Sequence, residues 1–286
     1  MKVIDIHTHG IGGFDTFSAT EEQMLQIAEI HGSHGVSEII LTVYSATLKT
    51  MRENMRTIKN AMKMQMDSEG KAAHIAGIHL EGPFLNSRKC GALDPNSFIR
   101  PNEFNLIKLI EGYEDVVKII TIAPELEKAI KIIEIISDLG IIASMGHSEA
   151  TYFVAEAGYN AGARGITHIF NAMRGIHHRD PGIAGFGVMN KDIYIEVIAD
   201  PFHLDSRMIE FIFSVKNHER IIIVSDTVKG AKKESGTGGV TDNSNKLLGG
   251  SMTNMESADR LIKKGFNKDV ILKCISENPE RYLHGG

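Results

Sequence analysis

Along the chain, two kinds of hydrophobic pattern alternate. Short, dense apolar runs rich in β-branched residues are each followed by a longer stretch in which apolar residues recur every three or four positions. The first pattern is that of a strand buried on both faces, and the second that of an amphipathic helix lying against it. Strand-like runs occupy residues 2–6, 38–43, 75–80, 116–123, 141–145, 165–167, 194–199 and 221–225. Helical periodicity begins after Thr20, where Gln23 completes a capping box and Met24, Ile27, Ala28 and His31 form the inward face. It returns over 49–66, 103–111, 125–138, 149–161, 204–216, 252–264 and 268–277. In the second helix Met51, Met55, Ile58, Met62 and Met66 mark a stripe that reads as core rather than as a ligand site. Residues 170–190 read as an irregular polar loop, and 229–250 as a Gly-rich segment with a hairpin turn at 241–245.

Eight such alternations predict a (β/α)8 TIM barrel, with a doubly wound open sheet as the alternative. The distinction matters, because a closed parallel barrel brings the carboxyl ends of all its strands to one rim. Residues scattered through the sequence then meet in space. No composition break divides the 286 residues, so a single barrel domain over 1–286 is expected. An apolar content of 42% supports a substantial core. The net charge of −5 lacks the basic footprint of a nucleic-acid partner. No apolar run approaches the roughly 20 residues needed to span a bilayer. The first residues enter a strand directly, without signal-peptide architecture, and the two cysteines, Cys90 and Cys274, have no metal or redox spacing. A reducing, cytoplasmic setting is the expectation.

The chemistry lies where the strands end. His7 and His9 close the first, Glu81 the third, His147 the fifth, His168 the sixth and Asp226 the eighth. Alternation along an extended segment places His7 and His9 on one face. Any one of these residues is as readily a hydrogen-bonded core histidine or a loop aspartate. Six of them at five strand ends are hard to explain that way. Imidazole nitrogens and carboxylate oxygens suit a divalent ion: zinc first, then iron or manganese. Glu81, His147 and His168 supply one set of three donors, and His7 and His9 a second site with Glu81 between them. Asp226 is placed to serve as the general base toward a water whose pKa such an ion lowers to about 7. Arg174, His177, His178 and Arg179 form the best anion-site candidate, since guanidinium pairs with phosphate through a two-pronged hydrogen bond.

These motifs together resemble the N-acetylglucosamine-6-phosphate deacetylases of the amidohydrolase superfamily. The resemblance rests on Ile4-Asp5-Ile6-His7-Thr8-His9-Gly10, His79-Leu80-Glu81-Gly82-Pro83-Phe84, Gly146-His147-Ser148 and Thr167-His168-Ile169-Phe170-Asn171-Ala172-Met173. It continues in His177-His178-Arg179, Ile198-Ala199-Asp200 with His203, Ser225-Asp226 and Leu248-Gly249-Gly250-Ser251, spanning nearly the whole chain. The resemblance implies Glu81, His147 and His168 as principal metal ligands, with His7 and His9 in a second site that only some members fill. It implies Asp226 as the base that activates water and then protonates the amine. His203 would contact the sugar and polarise the acetamide carbonyl, while Asn171, Ala172 and Arg179 would line the sugar-phosphate pocket.

The chain departs from the family's pattern in its specificity loops. Cys90-Gly91-Ala92-Leu93 stands where Lys-Gly-Ala-His is usual, Pro201 follows Asp200 in place of glycine, and Arg174-Gly175 replaces Ser-Pro. The β-sandwich strands that flank the family's barrel are also not found, which leads us to expect a homo-oligomer, a dimer, covering that flank. The implied substrate is an N-acetylated amino-sugar phosphate, with N-acetylglucosamine 6-phosphate in first place. Another N-acyl sugar or a cyclic amide is the alternative, and a non-catalytic sugar-phosphate-binding protein is the alternative from a different class.

Overall fold

The computed structural model describes residues 1–66, 71–232 and 238–285. The part of the Gly-rich 229–250 segment over residues 233–237 lies outside them. Strand β1 (Ile4–Thr8) leads into a small hairpin, β2 (Gly10–Ile11) with β3 (Phe14–Asp15), and then helix α1 (Glu21–Ser33). Next come β4 (Glu38–Tyr44), α2 (Leu48–Met66), β5 (His74–Glu81), α3 (Glu103–Ile110) and β6 (Val117–Ile122). The alternation continues through α4 (Ala129–Asp138), β7 (Ile142–Met145), α5 (Tyr152–Asn160), β8 (Gly165–Ile166) and α6 (Gly182–Met189). It ends with β9 (Tyr194–Ile198), α7 (Ser206–Val215), β10 (Ile221–Val224), the hairpin β11 (Val240–Thr241) with β12 (Leu247–Gly249), and α8 (Asn254–Lys263), α9 (Lys268–Cys274) and α10 (Glu277–His284).

Eight strands lie parallel in the order β1-β4-β5-β6-β7-β8-β9-β10. The ends of that order meet at a parallel bridge between Thr8 and Thr227. Two backbone hydrogen bonds accompany it: the Asp226 amide donates to His7 at 2.9 Å, and the His9 amide to Thr227 at 2.8 Å. Closure is thus made by residues directly beside the predicted ligands. The expected (β/α)8 barrel is the fold, not the open sheet.

The barrel wall divides the core. The larger cluster lies between strands and helices, with Ile39, Leu41, Ile78, Leu80, Ile120 and Ile195 meeting Met51, Met55, Ile133 and Ile209. Opposite residues on the same strands form a smaller cluster of Ile4, Ile6, Ile40, Ile119, Ile198, Ile222 and Val224, joined by Tyr194 and by Tyr282 of α10. This second set fills the barrel interior. On β9, Glu196 shares that inward face with Tyr194 and Ile198, because successive side chains alternate.

Several boundaries differ from those read in the sequence. Helix α4 starts at Ala129 rather than at residue 125, because the preceding turn ends with Lys128 in the left-handed region (φ 68°). The segment read as an irregular polar loop contains α6, whose residues Gly182–Val188 are all buried. A helix buried all round has no polar face, so it carries no period to detect. The final helical pattern was expected to end at residue 277, yet α10 begins there. Its Pro279 falls in the first turn, where a missing amide hydrogen costs nothing. The methionine stripe of α2 stops short of its end: Met66 is 81% exposed.

These corrections carry energetic consequences. Phe186 of α6 is fully buried with its ring edge-on to Tyr152 at 5.3 Å. Phe186→Ala is expected to cost about 3–5 kcal/mol in urea unfolding, and Met66→Ala less than about 0.5 kcal/mol. Equal effects of the two would contradict this assignment of the core.

Candidate metal centre

Glu81 is the last residue of β5, and the chain leaves it through Gly82 at φ 97°. A Cβ at Gly82 would come within 2.9 Å of the Leu85 side chain. His147, His168 and Asp226 likewise sit just beyond β7, β8 and β10, at φ values of 47°, 31° and 49°. Left-handed backbone in a non-glycine residue costs about 1–3 kcal/mol and persists only where the surroundings hold it. Here it turns each side chain back over the barrel mouth.

The result is two adjoining donor groups at the mouth, with a third, His7, His79 and Glu196, beneath them. In one, Glu81 Oε1 lies 3.0 Å from His147 Nε2 and 2.9 Å from His168 Nε2, and the two imidazole nitrogens are 3.2 Å apart. In the other, His7 Nε2 and His9 Nε2 are 3.3 Å apart, and Asp226 Oδ1 lies 3.4 Å from the first and 3.2 Å from the second. Glu81 joins the groups, with Oε1 at 3.7 Å from His7 Nε2 and Oε2 at 3.4 Å from His9 Nε2. The sequence placed Asp226 as a base; the structure makes it equally a third donor beside His7 and His9. Alternation along β1 is irregular, with its register against β4 shifting between Asp5 and Thr8, yet both imidazoles still converge.

In two of the four rings the outer nitrogen settles what the inner one presents. His147 Nδ1 is 2.7 Å from the Lys89 carbonyl oxygen, which can only accept, so Nδ1 carries the hydrogen. His7 Nδ1 is 2.9 Å from Glu196 Oε2 and donates in the same way. In their neutral forms both rings therefore aim an Nε2 lone pair at carboxylate oxygens and at another imidazole. Lone pairs gathered this closely in a buried site are satisfied by a cation among them or, failing that, by protons. Tetrahedral coordination with bonds of about 2.0–2.1 Å separates donor atoms by about 3.3 Å, and the separations within the two groups run from 2.9 to 3.4 Å. The nitrogen–oxygen donor set thus fits a divalent ion of the zinc, iron or manganese kind.

Protonation tendencies agree. Burial pulls His7 down, but Asp226, Glu196 and Glu81 outweigh it and push its pKa up to about 10. Burial raises Glu81, yet His147 and His168 hold its carboxyl well below the usual range. Asp226 is also lowered, with His7 and His9 overcoming its burial. Left without an ion, the pocket draws protons into the space one would fill.

Around this centre the remaining predicted residues are distributed unevenly. His203 is anchored through Nδ1, 3.1 Å from both oxygens of Asp200, and its Nε2 has no hydrogen-bond partner among the described residues. Asp200 also accepts from the Ser251 amide at 3.3 Å, and Gly250 donates to the Asp226 carbonyl at 2.7 Å. The Leu248–Ser251 motif therefore ties the Asp226 turn to the His203 loop. Asn171 uses its amide to brace the turn at His168, donating to the His168 and Ile169 carbonyls at 3.3 Å each. Ala172 and Met173 pair with Ser148 just after His147, which brings this segment to the same rim. Gly91, at φ 56°, packs against it: a Cβ there would lie 3.2 Å from Ala172 Cβ and 3.3 Å from His147 Cε1. Arg174 is engaged by Asp180 at 2.6 Å, while Arg179 is exposed.

Buried ionisable residues missed in the sequence include Glu196, His79 and His31. Glu196 carries a charge in the middle of an apolar strand, a placement rare enough to have been a signal. His79 points into the barrel with Nε2 2.8 Å from Thr121 Oγ1, and burial and the adjacent His7 hold it neutral. His31 of α1 lies 3.1 Å from Thr8 Oγ1, which is itself 2.7 Å from Thr227 Oγ1 at the barrel seam. Burial lowers its pKa to about 3.

Comparison with known proteins points one way. No family model matches the chain. It is 30% identical over 298 residues to the N-acetylglucosamine-6-phosphate deacetylase of Lysinibacillus sphaericus, covering 98% of this chain and 75% of the relative. It is 32% identical to the Bacillus subtilis enzyme of the same name over 79% of this chain, but spans only 57% of that relative's length. An N-acetylgalactosamine-6-phosphate deacetylase of Escherichia coli O157:H7 is 29% identical over 98% of the chain and 76% of its own length. Among solved structures, an aspartate-to-alanine variant of the Mycobacterium smegmatis N-acetyl-D-glucosamine-6-phosphate deacetylase in complex with N-acetyl-D-glucosamine 6-phosphate superposes with a TM-score of 0.90. It is 26% identical, over 99% of this chain and 77% of that one.

The geometry makes Glu81 the shared donor, and that is directly testable. Glu81→Gln is expected to lose metal, measured by elemental analysis of protein purified in the presence of zinc. Stoichiometric metal equal to that of the wild type would contradict the assignment.

Proposed function

The chain belongs to the N-acetylglucosamine-6-phosphate deacetylase family, and on that basis we propose that it hydrolyses the acetamide of an N-acetylated hexosamine 6-phosphate, releasing acetate and the free amine. The observation that carries this reading is the convergence of Glu81, His147 and His168 beside Asp226 at one barrel rim. Glu81, His147 and His168 would hold the principal ion, and His7, His9 and Asp226 a second. A divalent ion in such a site supplies Lewis-acid polarisation of the amide carbonyl and lowers the pKa of water from 15.7 toward about 7. Zinc is the ion we expect.

The chain's own residues do the rest. Asp226 takes the proton from the attacking water and returns it to the departing nitrogen, so the amine leaves neutral. Burial works against its charge, but the adjacent His7 and His9 outweigh it and keep it ionised and ready to accept. His203, fixed through Nδ1 on Asp200, presents Nε2 to the acetamide oxygen. With Arg174 already paired to Asp180, Arg179 is the cation we assign to the phosphate. Two unpaired cysteines accord with a cytoplasmic setting.

Likeness to the N-acetylgalactosamine-6-phosphate deacetylase supports a second reading in which the C4 epimer is preferred. Acetate release from both epimers, each with and without the 6-phosphate, separates these readings. Zinc-loaded protein is expected to favour the phosphorylated sugars. Asp226→Asn should lower kcat by about 10²–10⁴-fold, and Arg179→Ala should raise KM for phosphorylated substrate alone. Undiminished turnover in Asp226→Asn, or turnover that survives full metal removal, would overturn the mechanism.

A further inference from the structure

Glu196 is 2% exposed and lies on β9, beneath the rim on which the metal centre sits. Its Oε2 accepts from two places at once: from His7 Nδ1 at 2.9 Å and from the backbone amide of His168 at 3.3 Å. His7 belongs with His9 and Asp226 to one donor group at the mouth and His168 to the other, while His7, His79 and Glu196 themselves make a third cluster beneath. Glu81 joins the two groups through their Nε2 atoms, whereas Glu196 joins them through the ring and backbone atoms behind. The second oxygen, Oε1, is buried without a partner among the described residues. A carboxylate is costly to bury half-satisfied, and replacing it by an apolar side chain would remove that cost. Something else in the site must depend on it.

We propose that Glu196 is a positioning residue for the whole metal centre. By taking the His7 Nδ1 hydrogen it fixes the tautomer that points an Nε2 lone pair at the ion site, and its charge makes that nitrogen a stronger donor. By holding the His168 amide it locks the left-handed turn (φ 31°) that swings the second imidazole over the mouth. This role rests on the proposed metal-dependent function, since without ions there is nothing for the imidazoles to be aimed at. It extends that reading by naming the residue that sets how tightly the ions are held.

Zinc affinity, measured by competition with a chelator of known affinity, tests the role in full-length wild type, Glu196→Gln and Glu196→Asp. Glutamine keeps the shape and removes the charge; aspartate keeps the charge and withdraws the oxygen. Both are expected to bind zinc about 10–100-fold more weakly. The urea midpoint of the metal-free protein serves as the control for a merely structural role, and it should change little in Glu196→Gln. Wild-type affinity in both variants, or a loss of affinity matched by collapse of the metal-free fold in both, would overturn the proposal. If the wild type binds zinc and releases acetate in those same experiments, the proposed function stands even though the role of Glu196 falls. A wild type that takes up no zinc overturns both.

Discussion

The structure turns on one electrostatic constraint, the crowding of Glu81, Glu196, Asp226 and the imidazoles of His7, His9, His147 and His168 into one buried end of a barrel. Each carboxylate alone would cost several kcal/mol to remove from water. Together they persist because every inward imidazole nitrogen faces an oxygen, and every such oxygen lies where a cation can sit. Hydrogen bonds at two of the outer nitrogens, from His147 to Lys89 and from His7 to Glu196, fix where those two rings present their lone pairs. Without those outer contacts the rings could turn or exchange tautomers, and the site would be an acid cluster rather than a coordination sphere.

The barrel supports this arrangement in two ways. Its seam is closed at the site itself, since β1 and β10 are joined through Thr8 and Thr227, the immediate neighbours of His7, His9 and Asp226. The buried His31–Thr8–Thr227 contacts sit behind that seam, on the side of α1. Meanwhile the larger core between strands and helices bears the stability that the rim gives up. Left-handed backbone at His147, His168 and Asp226 is affordable only because the strands beneath them are packed on both faces by aliphatic side chains.

Much of this was legible in the sequence, for identifiable reasons. The (β/α)8 alternation is a strong periodic signal, and ligands at strand ends are legible because a closed barrel gives those ends a common destination. Helix α6 was lost because complete burial erases the polar face that periodicity needs. Helix α10 was lost because Pro279 looks like a breaker unless its place in the first turn is known. Glu196 was visible as a charge inside an apolar strand, but its partners lie 189 residues away at His7 and 28 away at His168, and spacing alone does not bring them together. The specificity loops were the least legible. That Arg174 is taken up by Asp180, and that Asn171 braces a turn instead of reaching outward, are facts of three-dimensional pairing.

The central claim is that these converging lone pairs form a cation site whose principal ligands are Glu81, His147 and His168. The most direct measurement is anomalous X-ray diffraction from crystals grown with zinc, with data collected on either side of the zinc absorption edge. The account predicts a strong anomalous peak bonded to Glu81 Oε1, His147 Nε2 and His168 Nε2. An empty barrel mouth at full zinc loading, or an ion bound only elsewhere on the molecule, would contradict it.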